Sequence, residues 1–200
     1  MSHLLQINSS VFAGGGQSSQ LASHYVESWK KSHPDATVTL RDLAIDPVPH
    51  LDGTRVGAFF TPAEQRDAAQ QQVIAFSDQL IDEIRAADMV VISAPMYNFG
   101  ISSNLKAYFD HLARAGVTFK YTENGPVGLL TGKKILVFST RGGLYDGTTR
   151  DTQIPYLREF LSFLGLSDIT FVTAEGLAMG EPQKQAALEK ARAHVQKLAA

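Results

Sequence analysis

The chain has 200 residues, 44% of them hydrophobic and 19% charged, with 18 basic against 20 acidic side chains, a formal net charge of −2 and no cysteine. That balance suits a single globular domain spanning 1–200, able to bury a full core without disulfides or structural zinc. It excludes a thiolate nucleophile, a CxxC redox pair and a cysteine-held cluster, and the scattered basic residues lack the cationic stripe that nucleic acid requires.

Short runs rich in Val, Ile and Leu alternate with longer amphipathic stretches, the pattern of a parallel sheet. The first strand is expected from His3 to Ser9; its HLLQI run is too short and starts too abruptly for a signal segment. A Gly/Ser loop follows, then a helix from about Ser18 to His33, with Leu21, Tyr25 and Trp29 on one face and Ser18 or Ser19 as N-cap. A second strand is expected from Thr37 to Arg41. The interval from Ala44 to Thr61 carries Pro47, Pro49, Phe59 and Phe60 and reads as an irregular connection. Thr61 and Pro62 suit the start of a long helix to Ala87. The third strand runs from Met89 to Ala94 and its helix from Ser102 to Ala115. Within Val117 to Thr131, the alternation of Val117, Phe119 and Tyr121 before Asn124-Gly125 predicts a hairpin. A strand from Lys134 to Ser139, a helix from Thr152 to Leu164, a strand from Ile169 to Thr173 and a helix from Pro182 to Ala199 complete the chain.

Right-handed crossovers arrange five such strands most economically as a doubly wound sheet of order 2-1-3-4-5 with helices on both faces. Ligands bind such sheets at the strands' carboxyl ends, which confines the search to Ser9–Ser19, Pro95–Ser102 and Thr140–Thr149. The first loop, SSVFAGGGQSSQ, combines glycines with serines before a helix, a neutral donor set suited to phosphate or, equally, a flexible turn. A dinucleotide fingerprint fails because Ser19 occupies its third glycine position. A P-loop fails at GLLTGKK, and Asn8 and Ser9 stand where a receiver domain needs acids. The second loop, PMYNFG, offers two aromatics, a thioether and an amide for a flat heteroaromatic ring. In the third, STRGG, Gly142 and Gly143 can aim backbone N–H groups at a ring's polar edge, with Arg141 either assisting or solvated. The six histidines show no ligand spacing, so no metal site is expected. Asp110 and His111 read as surface or interface residues. Glu64, Arg66, Asp67, Asp82, Glu83 and Arg85 read as a solvated helix face.

The run PMYNFGISSNLKAYFDHLARAGVTFKYTENGPVGLLTGKK, from Pro95 to Lys134, closely resembles the flavodoxin-like family of FMN-dependent NADH-azoreductases and NADH:quinone oxidoreductases. The SS…GQS start, the STRGG loop and Ala174-Glu175-Gly176 extend the resemblance over almost the whole chain. It implies that Ser10, Gly16, Gln17 and Ser18 bind the FMN phosphate, Gly16 through its backbone since some members carry serine there. It further implies that Met96, Tyr97, Asn98 and Phe99 contact the flavin ring and ribityl chain, and that Thr140, Arg141, Gly142 and Gly143 line its polar edge. The same resemblance implies a homodimer with one FMN per subunit; no run of the sequence approaches transmembrane length, and a cytoplasmic location is expected. NADH or NADPH reduces the flavin and leaves before a quinone or azo compound takes two electrons. Phe60, Phe119 and Tyr121 then either cover a planar substrate, from one subunit or its partner, or pack on the sheet. The alternative reading is a flavodoxin-type electron carrier, although such a carrier is expected to show a strongly acidic face.

Overall fold

The computed structural model describes residues 2–199. Five parallel strands form the central sheet: β1 (His3–Asn8), β2 (Thr37–Asp42), β3 (Met89–Pro95), β6 (Lys134–Thr140) and β7 (Asp168–Ala174). Their order is β2-β1-β3-β6-β7, which is 2-1-3-4-5 once the hairpin strands β4 (Phe119–Thr122) and β5 (Gly125–Gly128) are set aside. The central strand β3, MVVISAP, is buried over nearly its whole length, as expected for a parallel strand covered on both faces.

Strand alternation divides the core into two layers. Leu4, Val91, Leu136 and Phe138 face α1 (Gln17–Ser32) and α6 (Glu181–Ala199), meeting Leu21, Tyr25, Trp29 and Leu188. Leu5, Ile7, Val90, Ile92 and Val137 face the opposite layer, built from α3 (Ala68–Ala86), α4 (Ser103–Leu112) and α5 (Gln153–Phe163). The helical stripe expected from Leu21, Tyr25 and Trp29 is therefore the buried face of α1.

Three local expectations are corrected. Ala44 to Thr61 is not wholly irregular: it holds a short helix, α2 (Gly53–Phe60), capped by Asp52, whose carboxylate accepts from the Arg55 N–H at 2.8 Å. Thr61 closes α2 rather than opening the next helix, its N–H donating to Gly57 O at 3.0 Å. The long helix starts six residues later than expected, at Ala68, where Asp67 and Gln70 form a reciprocal capping box. Finally, α1 is capped by Gly16, not Ser18 or Ser19, so neither hydroxyl performs the capping task.

His111 is enclosed rather than at the surface, with Nε2 3.1 Å from Pro49 O and its ring edge-on to Phe59 and Phe76. Glu83 also leaves the expected solvated face and grips the buried Arg41 through two bonds of 2.6 and 2.5 Å. The hairpin forms, pairing Phe119 with Gly128, but its turn lies one residue earlier than expected, at Glu123-Asn124, since Gly125 already pairs with Thr122. Among the described residues no helix is long and apolar enough to cross a membrane.

Candidate functional site

The carboxyl ends of β1, β3 and β6 bring the three loops together. Ser9 Oγ donates to Ser93 O at 2.6 Å and Ser93 Oγ accepts from the Ser9 N–H at 3.0 Å, which locks the end of β1 to β3. Ser10 Oγ lies 3.4 Å from Tyr97 Oη, joining the first loop to the second. The Met96 N–H donates to Thr140 O at 2.9 Å and joins the second to the third.

In the first loop, a one-turn helix (Ala13–Gly15) leads into Gly16 and α1. A Cβ on Gly16 would overlap the Ser10 side chain, so the glycine permits the loop to fold onto Ser10. The first turn of α1 presents N–H groups without intrahelical partners, and beside them the buried Ser18 Oγ has no hydrogen-bond partner. An orphaned hydroxyl at the positive end of a 16-residue helix is the donor set for an anion such as phosphate. No Lys or Arg occurs from Ser9 to Ser19, so neutral donors would have to do that work.

The second loop is a tight turn. Tyr97 and Gly100 exchange backbone hydrogen bonds of 2.9 and 3.0 Å, while Asn98 and Phe99 both have positive φ, 50° and 68°. This is the pattern of a type I′ turn, in which a bulky residue such as Phe99 is under backbone strain. Outside bonds hold it there: Thr152 Oγ1 donates to Phe99 O, and the Arg150 guanidinium lies 5.4 Å from the Phe99 ring and 5.8 Å from Tyr145. Strain retained at the edge of a sheet is a mark of a binding loop, and here it projects Asn98 and Phe99 outward.

In the third loop the Arg141 side chain does not face solvent or a ligand. It is fully buried, paired with Asp151 at 2.8 Å and Glu175 at 3.0 Å. Gly142 and Gly143 use their carbonyls to accept from Ala178 and Gly176, and among the described residues neither glycine N–H has an acceptor. A cavity of about 630 Å³ opens beside the second loop, lined by Val11, Tyr97, Asn98, Ser102, Lys106 and Tyr156 among others. Ser102 Oγ and Tyr156 Oη are buried there without partners, and burial, with Asp110 adding to it, pushes the Tyr156 phenol up to about 12.

The sequence profile described as flavodoxin-like fold matches residues 2–199. An FMN-dependent NADH:quinone oxidoreductase of Cellvibrio japonicus is 58% identical over 190 residues, spanning 95% of this chain and 96% of that protein. The chain belongs to the flavodoxin-like family of FMN-dependent NADH:quinone oxidoreductases. A second relative with the same description, from Alcanivorax borkumensis, is 54% identical over 96% of this chain and 98% of its own. Among solved structures, a Bacillus anthracis FMN-dependent NADH-azoreductase in complex with FMN superposes with a TM-score of 0.87 at 30% identity, all of both chains being covered.

In this oxidoreductase fold, the residues expected at the site are divided by the structure. Ser10, Gly16, Met96–Phe99 and Arg141–Gly143 lie on the three converging loops, with Gln17 and Ser18 in the first turn of α1 and Thr140 at the end of β6. Phe119 does not belong with them: it is buried, 4.3 Å from the Phe163 ring, because the start of β4 lies over the end of α5. Phe60 and Tyr121 are exposed and line no part of the cavity within their own chain. Asp151 and Glu175 are the residues that sequence reasoning missed. The parallel register pairs Thr140 with Ala174, so Arg141 and Glu175 are the next two neighbours, a signal legible only once the register is known.

Proposed function

We propose that this chain is an FMN-dependent NAD(P)H oxidoreductase that reduces quinones by two electrons and aromatic azo compounds to amines. When bound, FMN supplies the two-electron relay between nicotinamide donor and acceptor; the protein supplies position and electrostatics. The observation that carries the reading is the orphaned Ser18 hydroxyl beside the free N–H groups of α1, a neutral phosphate cradle at the carboxyl edge of the sheet. The named relatives agree with it in cofactor and in donor.

The residues fit the cofactor in three places. Ser10, Gly16, Gln17 and Ser18 would hold the phosphate through hydroxyls and backbone N–H groups. Met96, Tyr97, Asn98 and Phe99 would bear the ring and ribityl chain on the strained turn. Gly142 and Gly143, beside Thr140, would offer their free N–H groups to the polar edge of the ring. Arg141 would contribute its main chain, since its guanidinium is engaged below.

The working unit in this reading is a cytoplasmic homodimer. Phe12, Phe60, Tyr121, Leu144 and Met179 are exposed apolar side chains that a partner subunit could cover. Phe60 and Tyr121 would then close over the acceptor across the subunit boundary. The deciding experiment is the absorbance spectrum of the purified protein with its released cofactor identified, followed by steady-state NADH oxidation with a quinone and no added protein. A colourless protein, or turnover only with a redox partner, would overturn the proposal.

A further inference from the structure

Arg141 heads the fully enclosed side chains of the fold by volume. Burying a guanidinium is costly unless its charge and donors are matched. Here Nη1 meets Asp151 Oδ2 at 2.8 Å and Glu175 Oε1 at 3.0 Å, Nη2 meets Asp151 Oδ1 at 3.2 Å, and Nε donates to Ser139 Oγ at 3.1 Å. Each acid has a second task. Glu175 Oε1 also accepts from the Tyr145 and Asp146 N–H groups at 2.9 and 3.0 Å, fixing the outgoing limb of the third loop. Asp151 Oδ1 accepts from Gln153 and Ile154 N–H at 3.2 and 3.1 Å, fixing the start of α5. Gln153 in turn accepts from Ser139 Oγ at 2.7 Å and donates to Ala94 O at 2.9 Å, which carries the network to the end of β3 beside the second loop.

The main chain above this cluster is turned one way. The Arg141 N–H donates to Ala174 O at 2.9 Å, while the carbonyls of Arg141, Gly142 and Gly143 accept from Leu177, Ala178 and Gly176 at 3.0, 3.0 and 2.9 Å. Peptide planes held by their carbonyls on one side direct the Gly142 and Gly143 N–H groups to the other. Below them one guanidinium faces two carboxylates, so one negative charge is in excess. Lys190 borders the same surface depression as Glu175 without an ion pair to it, Asp146 adds a further carboxylate there, and the Arg150 guanidinium is held apart, over the Phe99 and Tyr145 rings.

We infer that Arg141, Asp151 and Glu175 are positioning residues for the flavin loop: they hold the two glycine N–H groups toward the polar edge of bound FMN, and their excess negative charge lowers its reduction potential. The inference rests on the FMN site proposed above. It assigns these residues no contact with the flavin, and negative charge in a poorly screened region disfavours the addition of electrons.

The test uses the FMN-loaded protein and two variants. Glu175→Gln keeps an acceptor oxygen but removes the excess charge; FMN affinity should stay within about threefold and the midpoint potential should rise. Arg141→Lys cannot span both acids; FMN should bind roughly tenfold more weakly, about the worth of one or two misplaced hydrogen bonds, with a displaced flavin spectrum. Thermal unfolding of the FMN-free proteins is measured alongside. A Glu175→Gln potential equal to that of the unaltered protein would overturn the inference even if Arg141→Lys fails to fold. Lower apo-protein stability with unmoved FMN affinity and potential would also overturn it, leaving the cluster a structural role alone. If the unaltered protein takes up no FMN, the proposed function falls with it; bound FMN with an unmoved potential defeats this inference only.

Discussion

The backbones of Gly128 and Gly165 pass so closely that a Cβ on Gly128 would fall within the Gly165 amide. Gly165 has a φ of +96° and ends α5, and next to it the Leu130 N–H donates to Leu164 O at 2.9 Å. This crossing fixes the hairpin to the core. Because the obstructing atoms are backbone, no rotamer change can relieve the overlap. Gly128→Ala should therefore cost about 3 kcal/mol, the upper end for overpacking, and urea unfolding is the direct check. A loss below about 0.5 kcal/mol would mean that the two strands of chain can separate without consequence.

The same docking separates two aromatics on one face of β4. Phe119 packs at 4.3 Å on Phe163, whereas Tyr121, edge-on to Phe119 at 5.5 Å, is 74% exposed. Phe119→Ala should lose about 3–5 kcal/mol of stability through the cavity it leaves. Tyr121→Ala should stay within about 0.5 kcal/mol while raising the KM for a quinone, if Tyr121 covers acceptor bound in the partner subunit. Unfolding curves and steady-state kinetics on the pair distinguish packing from substrate contact. Equal KM values for Tyr121→Ala and the unaltered protein would remove Tyr121 from the acceptor site.

The five strands were legible because parallel strands buried on both faces leave near-continuous apolar runs such as MVVISA, and handedness then leaves few orders to choose from. The hairpin was legible from Asn124-Gly125, though its turn falls at Glu123-Asn124. What escaped was local capping and register. Asp52 announces α2, but Gly53 and Gly57 dilute the helical signal, and Thr61-Pro62 imitates a helix start that Asp67 and Gln70 supply instead. The three site loops followed from topology. The fate of Arg141 did not: Glu175, 34 residues away, meets it through the β6–β7 register, and Asp151, 10 residues away, meets it where the third loop turns into α5.

His111 makes stability depend on pH in a definite direction. Burial holds its imidazole below the ordinary 6.5, against the upward pull of the Pro49 carbonyl; Arg55 adds to the lowering, while Asp110 and Asp52 oppose it. With Nε2 at the carbonyl, a proton added at the enclosed Nδ1 finds no acceptor. The unfolded chain therefore binds the proton more readily than the folded one. The stabilising contribution is complete above about pH 6.5 and is lost as pH falls through the lowered folded value. Urea midpoints measured from about pH 7.5 down to about pH 5 should decline for the unaltered protein and decline less for His111→Gln. Parallel curves for the two proteins would show that His111 carries none of the dependence.

Ser18 offers the cleanest separation of binding from folding. Its hydroxyl is buried, caps nothing and bonds to no described residue, so Ser18→Ala removes no hydrogen bond from the ligand-free protein. Alanine is also the better helix former, and the apo-protein should unfold at the same urea concentration or slightly higher. With Ser18 in the proposed phosphate site, FMN should face the opposite change, one phosphate oxygen losing a donor where no Lys or Arg from Ser9 to Ser19 compensates. Fluorescence titration of apo-protein should give roughly tenfold weaker FMN binding, the worth of one hydrogen bond to a charged group. Riboflavin, which lacks the phosphate, should bind the variant and the unaltered protein alike. If riboflavin weakens in step with FMN, Ser18 acts on the shape of the loop and not on the phosphate.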